Sequence, residues 1–486
     1  MERNKIVKHF ATIGIGSLIN MFIGAITTPL ITRLVNPTEY GQLSIFTMYS
    51  QIALMVLCLG LDQALVRYYY ESETIEYRRA LLFKCIVFPL VVTAIVSMIV
   101  IAISVTGICK FEFSTFIMIL LCFYTLIEVV HRFSYLIIRL SYKTKLYAVL
   151  GIANKCIYVV TAVILLFLVN GEDLEILIIA TVFAAIIVTF LSVYYQSSIW
   201  DLRKANKEVC HVPVKDLLKY AYPYIFSLGI ATFFQAIDKM ALNYYCTYSD
   251  VGIYSSTMNL VHIFAIIQTT FNALYAPMAI EHYTKNKEDK VFYQITNQVM
   301  TVIMFFIGIS LILCKDVFAL LLGEKYRMAA MILPFLIFNP IMYTISETTV
   351  QGLVFMKKSK MQVVIAIIAC ITNLMGNAIL VPLYGCQGAA ISTGLSYIVF
   401  FTARTFISNR YFKVDYQLRK FYLLTLVVCG YAFYNTFYEN NFISVIYYIA
   451  CIALIASLYY ETVVEIIQYG LKLLRAVIKP GKKSNN

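Results

Sequence analysis

The chain has 486 residues, of which 61% are apolar and 13% charged, against about 25% charged residues in soluble domains. Water does not solvate this much apolar surface, so the composition excludes a string of soluble domains and makes lipid the solvent. The net charge of +13 comes without a basic patch interleaved with stacking aromatics, which argues against nucleic acid as a partner.

Apolar runs of membrane-spanning length then follow one another along the chain. They predict helices at 10–32, 42–66, 82–106, 114–137, 146–169, 176–199, 220–243, 251–277, 294–314, 328–356, 361–381, 388–408, 421–437 and 443–468. The runs do not alternate, so a β-barrel is not expected. The first run is too long for a cleaved signal and no small-residue cleavage site follows it. The expected fold is an all-α polytopic membrane protein of fourteen transmembrane helices.

Charge orients the helices. With the N-terminus inside, the cytoplasmic segments collect Arg3, Lys5 and Lys8, then Arg78, Arg79 and Lys84, and so on to Lys482 and Lys483. In all they hold 29 of the 39 basic residues, and the outer loops hold Arg33, Lys110, Lys315, Lys325 and Arg327. This positive-inside bias runs without a break along the chain and places both ends in the cytoplasm. The many tyrosines near span ends, such as Tyr68, Tyr69 and Tyr70, fit an aromatic belt, and Trp200 closes the sixth span. The twelve cysteines are scattered without C-x-x-C or metal-ligand spacing and read as packing residues.

No phosphate-binding G-x-x-x-x-G-K-S/T loop and no H-E-x-x-H motif occurs, and no cofactor is expected. The loops are too short to carry catalytic acids, bases or a metal, so the bundle itself must act, and transport is the expected work. A short repeat supports this. Glu39-Tyr40-Gly41-Gln42-Leu43-Ser44 and Asp250-Val251-Gly252-Ile253-Tyr254-Ser255 share an acidic-x-Gly-x-x-Ser pattern six spans apart. Six spans preserve orientation, so the repeat is parallel. It divides the chain into a six-helix lobe at 1–199, a basic cytoplasmic linker at 200–219, a second lobe at 220–408, and two further helices with a basic tail at 409–486.

Charges inside spans survive by pairing, snorkelling or lining water. Glu128 and Arg132 stand four apart and can pair on one helix face. Asp62, Arg67, Arg132 and Arg404 lie near the inner edge, within snorkelling reach, and Glu461 and Glu465 also approach it. Lys155 and Glu347 are further candidates for ion pairing or coupling. Asp238 and Lys239 are neighbours about 100° apart on a helix, so they reach different partners. They read either as an interhelical ion pair or as a substrate or coupling site.

The order of several motifs resembles the polysaccharide transporter family, the Wzx-type flippases of lipid-linked oligosaccharides, within the superfamily that holds the MATE exporters and MurJ. Pro29-Leu30-Ile31-Thr32-Arg33-Leu34-Val35-Asn36-Pro37-Thr38-Glu39-Tyr40-Gly41 is similar to the family's first loop. Asp238-Lys239 with Gly252-Ile253-Tyr254-Ser255, then Gly323-Glu324-Lys325-Tyr326, resemble its later signatures. So do Asn373-Leu374-Met375-Gly376-Asn377 and Pro382-Leu383-Tyr384-Gly385-Cys386-Gln387-Gly388-Ala389-Ala390. Lys239 departs from the family's frequent Arg, keeping the charge and losing bidentate geometry.

The resemblance implies two six-helix bundles in a V with alternating access. It implies a glycan on undecaprenyl diphosphate as substrate and the bacterial cytoplasmic membrane as location, with membrane lipids and other polysaccharide-assembly proteins as partners. It places the cavity on spans one, two, seven and eight, where this chain offers Arg33, Arg67, Asp238 and Lys239 for the diphosphate. Asn20, Gln63, Gln235, Asn243, Asn259, Gln268 and Asn272 are then available for the sugar hydroxyls. Coupling to H⁺ or Na⁺ through Asp238 or Glu128 is an added option. Three other readings stand beside this one: a MATE-like small-molecule antiporter, a membrane glycan polymerase or ligase, and a non-transporting scaffold.

Overall fold

The computed structural model describes residues 23–24, 26–169, 171–206 and 209–478, and every regular element among them is a helix. Most of the first expected span, with Asn20, lies outside the described residues. Ten of the described helices are long and apolar enough to cross a membrane, or eleven if one bent pair is a single span. The protein is therefore an all-helical polytopic membrane protein. It forms two compact units, one reaching to Ile263 and including Leu322–Tyr326, the other comprising Phe264–Leu321 and the chain from Arg327 onward.

The first unit begins in α1 (26–34). Extended Asn36 and then Pro37, placed where a helix needs no N–H, start α2 (Pro37–Leu57). Left-handed Leu59 and Gly60 break it before α3 (Leu61–Tyr68), which turns away by 58°. Gly60 is required twice over, by its φ of 69° and because a Cβ there would overlap the carbonyl of Ala221. The expected straight span at 42–66 is thus a bent one. Next come α4 (Ile75–Thr106), capped by Thr74, α5 (Thr115–Leu140), capped by Ser114, α6 (Thr144–Leu168) and α7 (Asp173–Tyr194). Then follow α8 (Val214–Tyr245) and α9 (Tyr248–Val261). One hydrophobic core of this unit gathers Leu61, Leu65, Tyr69, Leu81, Phe133 and Leu217. Two of the basic residues that orient the chain also satisfy backbone there. Lys84 donates to the carbonyls of Cys210 and Val212 at 2.6 and 3.0 Å, and Arg79 donates to that of Ser198 at 2.7 Å.

The two copies of the repeat face each other across the α2–α9 crossing. The Ser44 and Ser255 hydroxyls hydrogen-bond at 2.8 Å across 211 residues of sequence. A Cβ on Gly41 would lie inside the Tyr248 carbonyl, and a Cβ on Gly252 inside that of Pro37, each four residues before the opposite glycine. The contact is thus its own mirror under exchange of the two helices, and the backbones touch because neither glycine has a side chain. The acidic member has a different task. Asp250 forms a capping box with Thr247, accepting its N–H at 3.0 Å, and Glu39 sits in the first turn of α2. Leu322–Tyr326 packs beside this seam. Tyr326 is fully buried, donates to the Val35 carbonyl at 3.3 Å and meets Tyr40 edge-on, and Lys325 donates to Asn36 at 2.6 Å.

The second unit contains α10 (Ala265–Lys285), α11 (Val291–Leu313), α12 (Ala329–Leu336) and α13 (Phe338–Thr349). It continues through α14 (Ser359–Asn409), two helices meeting at a non-helical Gly385, to α15 (Leu418–Phe437), α16 (Asn441–Leu458) and α17 (Tyr460–Ile478). The expected last span at 443–468 ends earlier, at Leu458, so Glu461 and Glu465 belong to α17. The span expected at 328–356 is broken near Ile337 and Val350. Near the end of α10, His282 donates to Asp289 at 2.8 Å and holds that half-buried carboxyl below the usual carboxylate range.

The seam yields a prediction. Gly252→Val should lower the stability of the detergent-purified protein by about 1–3 kcal/mol, the usual range for overpacking. A thermal unfolding midpoint equal to that of the wild type would show that α2 and α9 do not need this close approach.

Candidate functional site

A cavity of about 470 Å³ lies inside the first unit, lined by α1, α2, α5, α6, α7, α8 and α9 and the residues that follow α9. Its charged walls come from two helices. Lys239 stands six residues before the end of α8, about 9 Å along the axis, and Lys155 thirteen before the end of α6, about 20 Å. Both are thus well within the depth of the bundle. The Lys155 ammonium rests against Gly24, where a Cβ would meet it at 2.8 Å. His262, directly after α9, opens into the same space and interacts electrostatically with Lys239. No Asp or Glu is among the described lining residues.

The rest of the wall is polar and aromatic. Tyr40, Tyr124 and Tyr158 line it with the amides Gln51, Asn154 and Asn259 and the hydroxyls Thr27, Thr28, Thr47 and Thr181. Asn259 donates to the Tyr40 hydroxyl at 3.0 Å, which ties α9 to α2 just inside the Ser44–Ser255 bond. The Tyr124 hydroxyl hydrogen-bonds to Glu128, one turn further along α5. Such a surface can solvate an anionic group at its lysines and hydrogen-bond hydroxyl-rich groups at its amides.

The structure separates the residues that sequence reasoning grouped together. Asp238 is buried and accepts from Tyr254 at 2.7 Å while its neighbour Lys239 lines the cavity, as their angular separation on the helix requires. Arg67 is exposed and pairs with Glu71 at 3.6 Å, and Gln63 donates to Asp62 at 3.0 Å. Arg33 is exposed over Gly323, and Gln235 is exposed on α8. None of these four is on the cavity wall. Asn272 stands on α10 of the second unit, and Asn20 lies outside the described residues.

The expected ion pairs are also redistributed. Arg132 binds Asp62 through its Nε at 2.8 Å and not Glu128 on its own helix. Asp62 is fully buried, so it is paired instead of snorkelling. In the second unit Arg404 does not snorkel either. It pairs with Glu347 at 2.9 Å, donates to Ser346 at 2.7 Å and sits over the rings of Tyr343 and Phe400, with both charged side chains 7% exposed. Lys155, expected as a pairing or coupling residue, lines the cavity of the first unit. Sequence reasoning missed His262, whose signal was a histidine within an apolar run, and the tyrosines, which carry no signal distinguishing them from belt or core residues.

The sequence profile described as polysaccharide biosynthesis protein matches residues 6–278, more than half of the chain. The probable low-salt glycan biosynthesis flippase Agl15 of Haloferax volcanii is 23% identical over 223 residues, 44% of this chain and 47% of its own length. The match thus spans about half the length of that relative. Among solved structures, the lipid II flippase MurJ in its inward closed conformation superposes with a TM-score of 0.67 at 13% identity, over 94% of this chain and 99% of that one. A mutant of the Vibrio cholerae MATE transporter VcmN gives 0.57 at 14% identity, over 84% of this chain and 96% of its own. At these identities the structural likenesses establish the fold, which is of the MurJ and MATE type.

The buried pair of the second unit makes a stability prediction. Arg404→Ala leaves Glu347 as an uncompensated buried charge and should cost about 3–5 kcal/mol. The double variant Arg404→Met with Glu347→Gln should recover most of that loss in the same unfolding assay. A single variant as stable as the wild type would mean that Glu347 finds another partner.

Proposed function

The chain belongs to the polysaccharide biosynthesis protein family, and from that premise we propose that it is a flippase that carries undecaprenyl-diphosphate-linked oligosaccharide units across the bacterial cytoplasmic membrane for surface polysaccharide assembly. The observation that carries this reading is the cavity wall, with Lys155 and Lys239 as its charged groups and no carboxylate among its described residues. Two ammonium groups in a low-dielectric enclosure repel one another, and a diphosphate placed between them converts that repulsion into attraction. The amides and tyrosines then meet the glycan, and the polyprenyl chain stays in lipid. The glycan-flippase relative and the MurJ-like fold support the same reading. A MATE-like antiporter for organic cations would call for acids on this wall. Movement of the anion outward is favoured by an inside-negative potential, by about 2.3 kcal/mol per charge per 100 mV.

The proposal includes fourteen spans with both ends in the cytoplasm, two pseudo-symmetric six-helix lobes and alternating access between them. Under this topology Cys109, exposed after α4, faces outward. A variant with Cys109 as its sole cysteine should react with an impermeant maleimide added to intact cells. Labelling only after the membrane is permeabilised would invert the topology.

The function is tested by flipping of a labelled undecaprenyl-diphosphate glycan in proteoliposomes. Each charge-assisted contact contributes about 1.5–3 kcal/mol, so Lys239→Ala and Lys155→Ala should each slow uptake by roughly tenfold or more. If the wild type moves an organic cation and no diphosphate-linked glycan, the antiporter reading replaces this one.

A further inference from the structure

The cavity holds a third basic side chain that the proposed function does not use. His262 follows the last turn of α9, about 21 Å along the helix from Tyr248. It opens into the cavity and interacts electrostatically with Lys239, which reaches the same space from α8. An ordinary histidine titrates at about pH 6.5, inside the physiological range, whereas the two lysines do not.

The groups around it decide which way its charge is driven. The titratable groups on the same wall are Lys239 on α8, Lys155 and Tyr158 on α6, Tyr40 on α2 and Tyr124 on α5. The described residues of α1 and α7 on the wall add Thr27, Thr28 and Thr181, which do not titrate in this range. Asp238 accepts from Tyr254, and Glu128 is hydrogen-bonded to Tyr124 of this wall. The charged groups among the described residues of this wall are therefore basic. A bound dianion supplies the opposite charge, which at close range favours the imidazolium.

From this geometry we infer that His262 is a proton-linked anion-binding residue: the cavity takes up a proton at His262 when it takes up a diphosphate. The inference rests on the flippase reading and deepens it. Lys155 and Lys239 set the affinity at every pH, and His262 makes that affinity depend on pH. Binding and protonation are reciprocal, so the anion binds more tightly as pH falls, and anion binding draws a proton from solution. The occupied and empty cavities then differ by one proton as well as by the ligand's two charges, so the charge moved in each translocation cycle changes with pH.

The test uses the purified full chain in nanodiscs and geranyl diphosphoglucose, a diphosphate diester whose two charges do not titrate between pH 5.5 and 8. Isothermal titration calorimetry in buffers of different ionisation enthalpy reads affinity and proton uptake together. For the wild type, Kd should tighten by about tenfold from pH 8 to 5.5, with about one proton taken up per ligand at the acid end. His262→Asn should give a Kd that is flat across this range and no proton uptake. Lys239→Ala should bind more weakly throughout while keeping the slope. Wild-type binding that is independent of pH, or a slope that survives in folded His262→Asn, overturns the assignment of the proton to His262 and leaves the flippase reading standing. Absence of binding by folded wild type at every pH removes the anion cavity itself and this inference with it.

Discussion

A charge at the centre of a bilayer costs about 2.5–3.5 kcal/mol on insertion scales, and the interior of this protein is arranged around that cost. Three solutions appear among the described residues. Opposite charges pair, as in Asp62–Arg132 and Glu347–Arg404. A lysine caps backbone carbonyls, as when buried Lys315 donates to the carbonyl of Asn435 at 2.6 Å. The third position is a cavity wall, where Lys155 and Lys239 stand. Pairing and capping use the charge to hold helices together. A charge on a cavity wall borders space that a ligand can enter, so the functional reading rests on where each residue stands.

The α2–α9 seam forms part of the cavity wall in the first unit. Gly41 and Gly252 let two backbones touch, Ser44 and Ser255 join them, and Tyr40 and Asn259 continue the contact inward to the cavity wall. The interface is held by small residues and short hydrogen bonds, which suits a lipid environment where burying apolar surface between helices provides no driving force. One surface therefore serves two purposes, since Tyr40, Ser44, Ser255 and Asn259 belong both to the helix contact and to the cavity. Tyr326 and Lys325, brought in from a distant loop, complete the packing at the start of α2.

Much of the fold was legible in the sequence, because hydropathy and charge act segment by segment. The runs over 82–106 and 146–169 correspond to α4 and α6 within a few residues at most ends. The acidic-x-Gly-x-x-Ser pair was visible as a repeat, although nothing in the sequence showed that its two copies would meet. Elements failed where local conformation overrode hydropathy. Left-handed Leu59 and Gly60 bend an apolar run that reads as straight, whereas non-helical Gly385 parts the two helices of α14 between the spans expected at 361–381 and 388–408. The site was less legible than the fold. Arg67, Gln63 and Arg33 do not line the cavity of the first unit, whereas His262 and Tyr124, which drew no notice, do.

By itself, then, the sequence determined that the chain is a helical membrane protein, where most helices run, and that charges and a glycine-serine repeat are buried among them. These are sums over consecutive residues, and a bilayer reads them one segment at a time. Only the tertiary structure decided that Arg132 answers Asp62 and not Glu128, that Asp238 is spent on Tyr254, and that Lys239, Lys155 and His262 share one space. The rotation of each helix about its axis and the identity of its neighbours choose among pairing, capping and a cavity. Those choices depend on side chains far apart in the chain, and no single segment contains them.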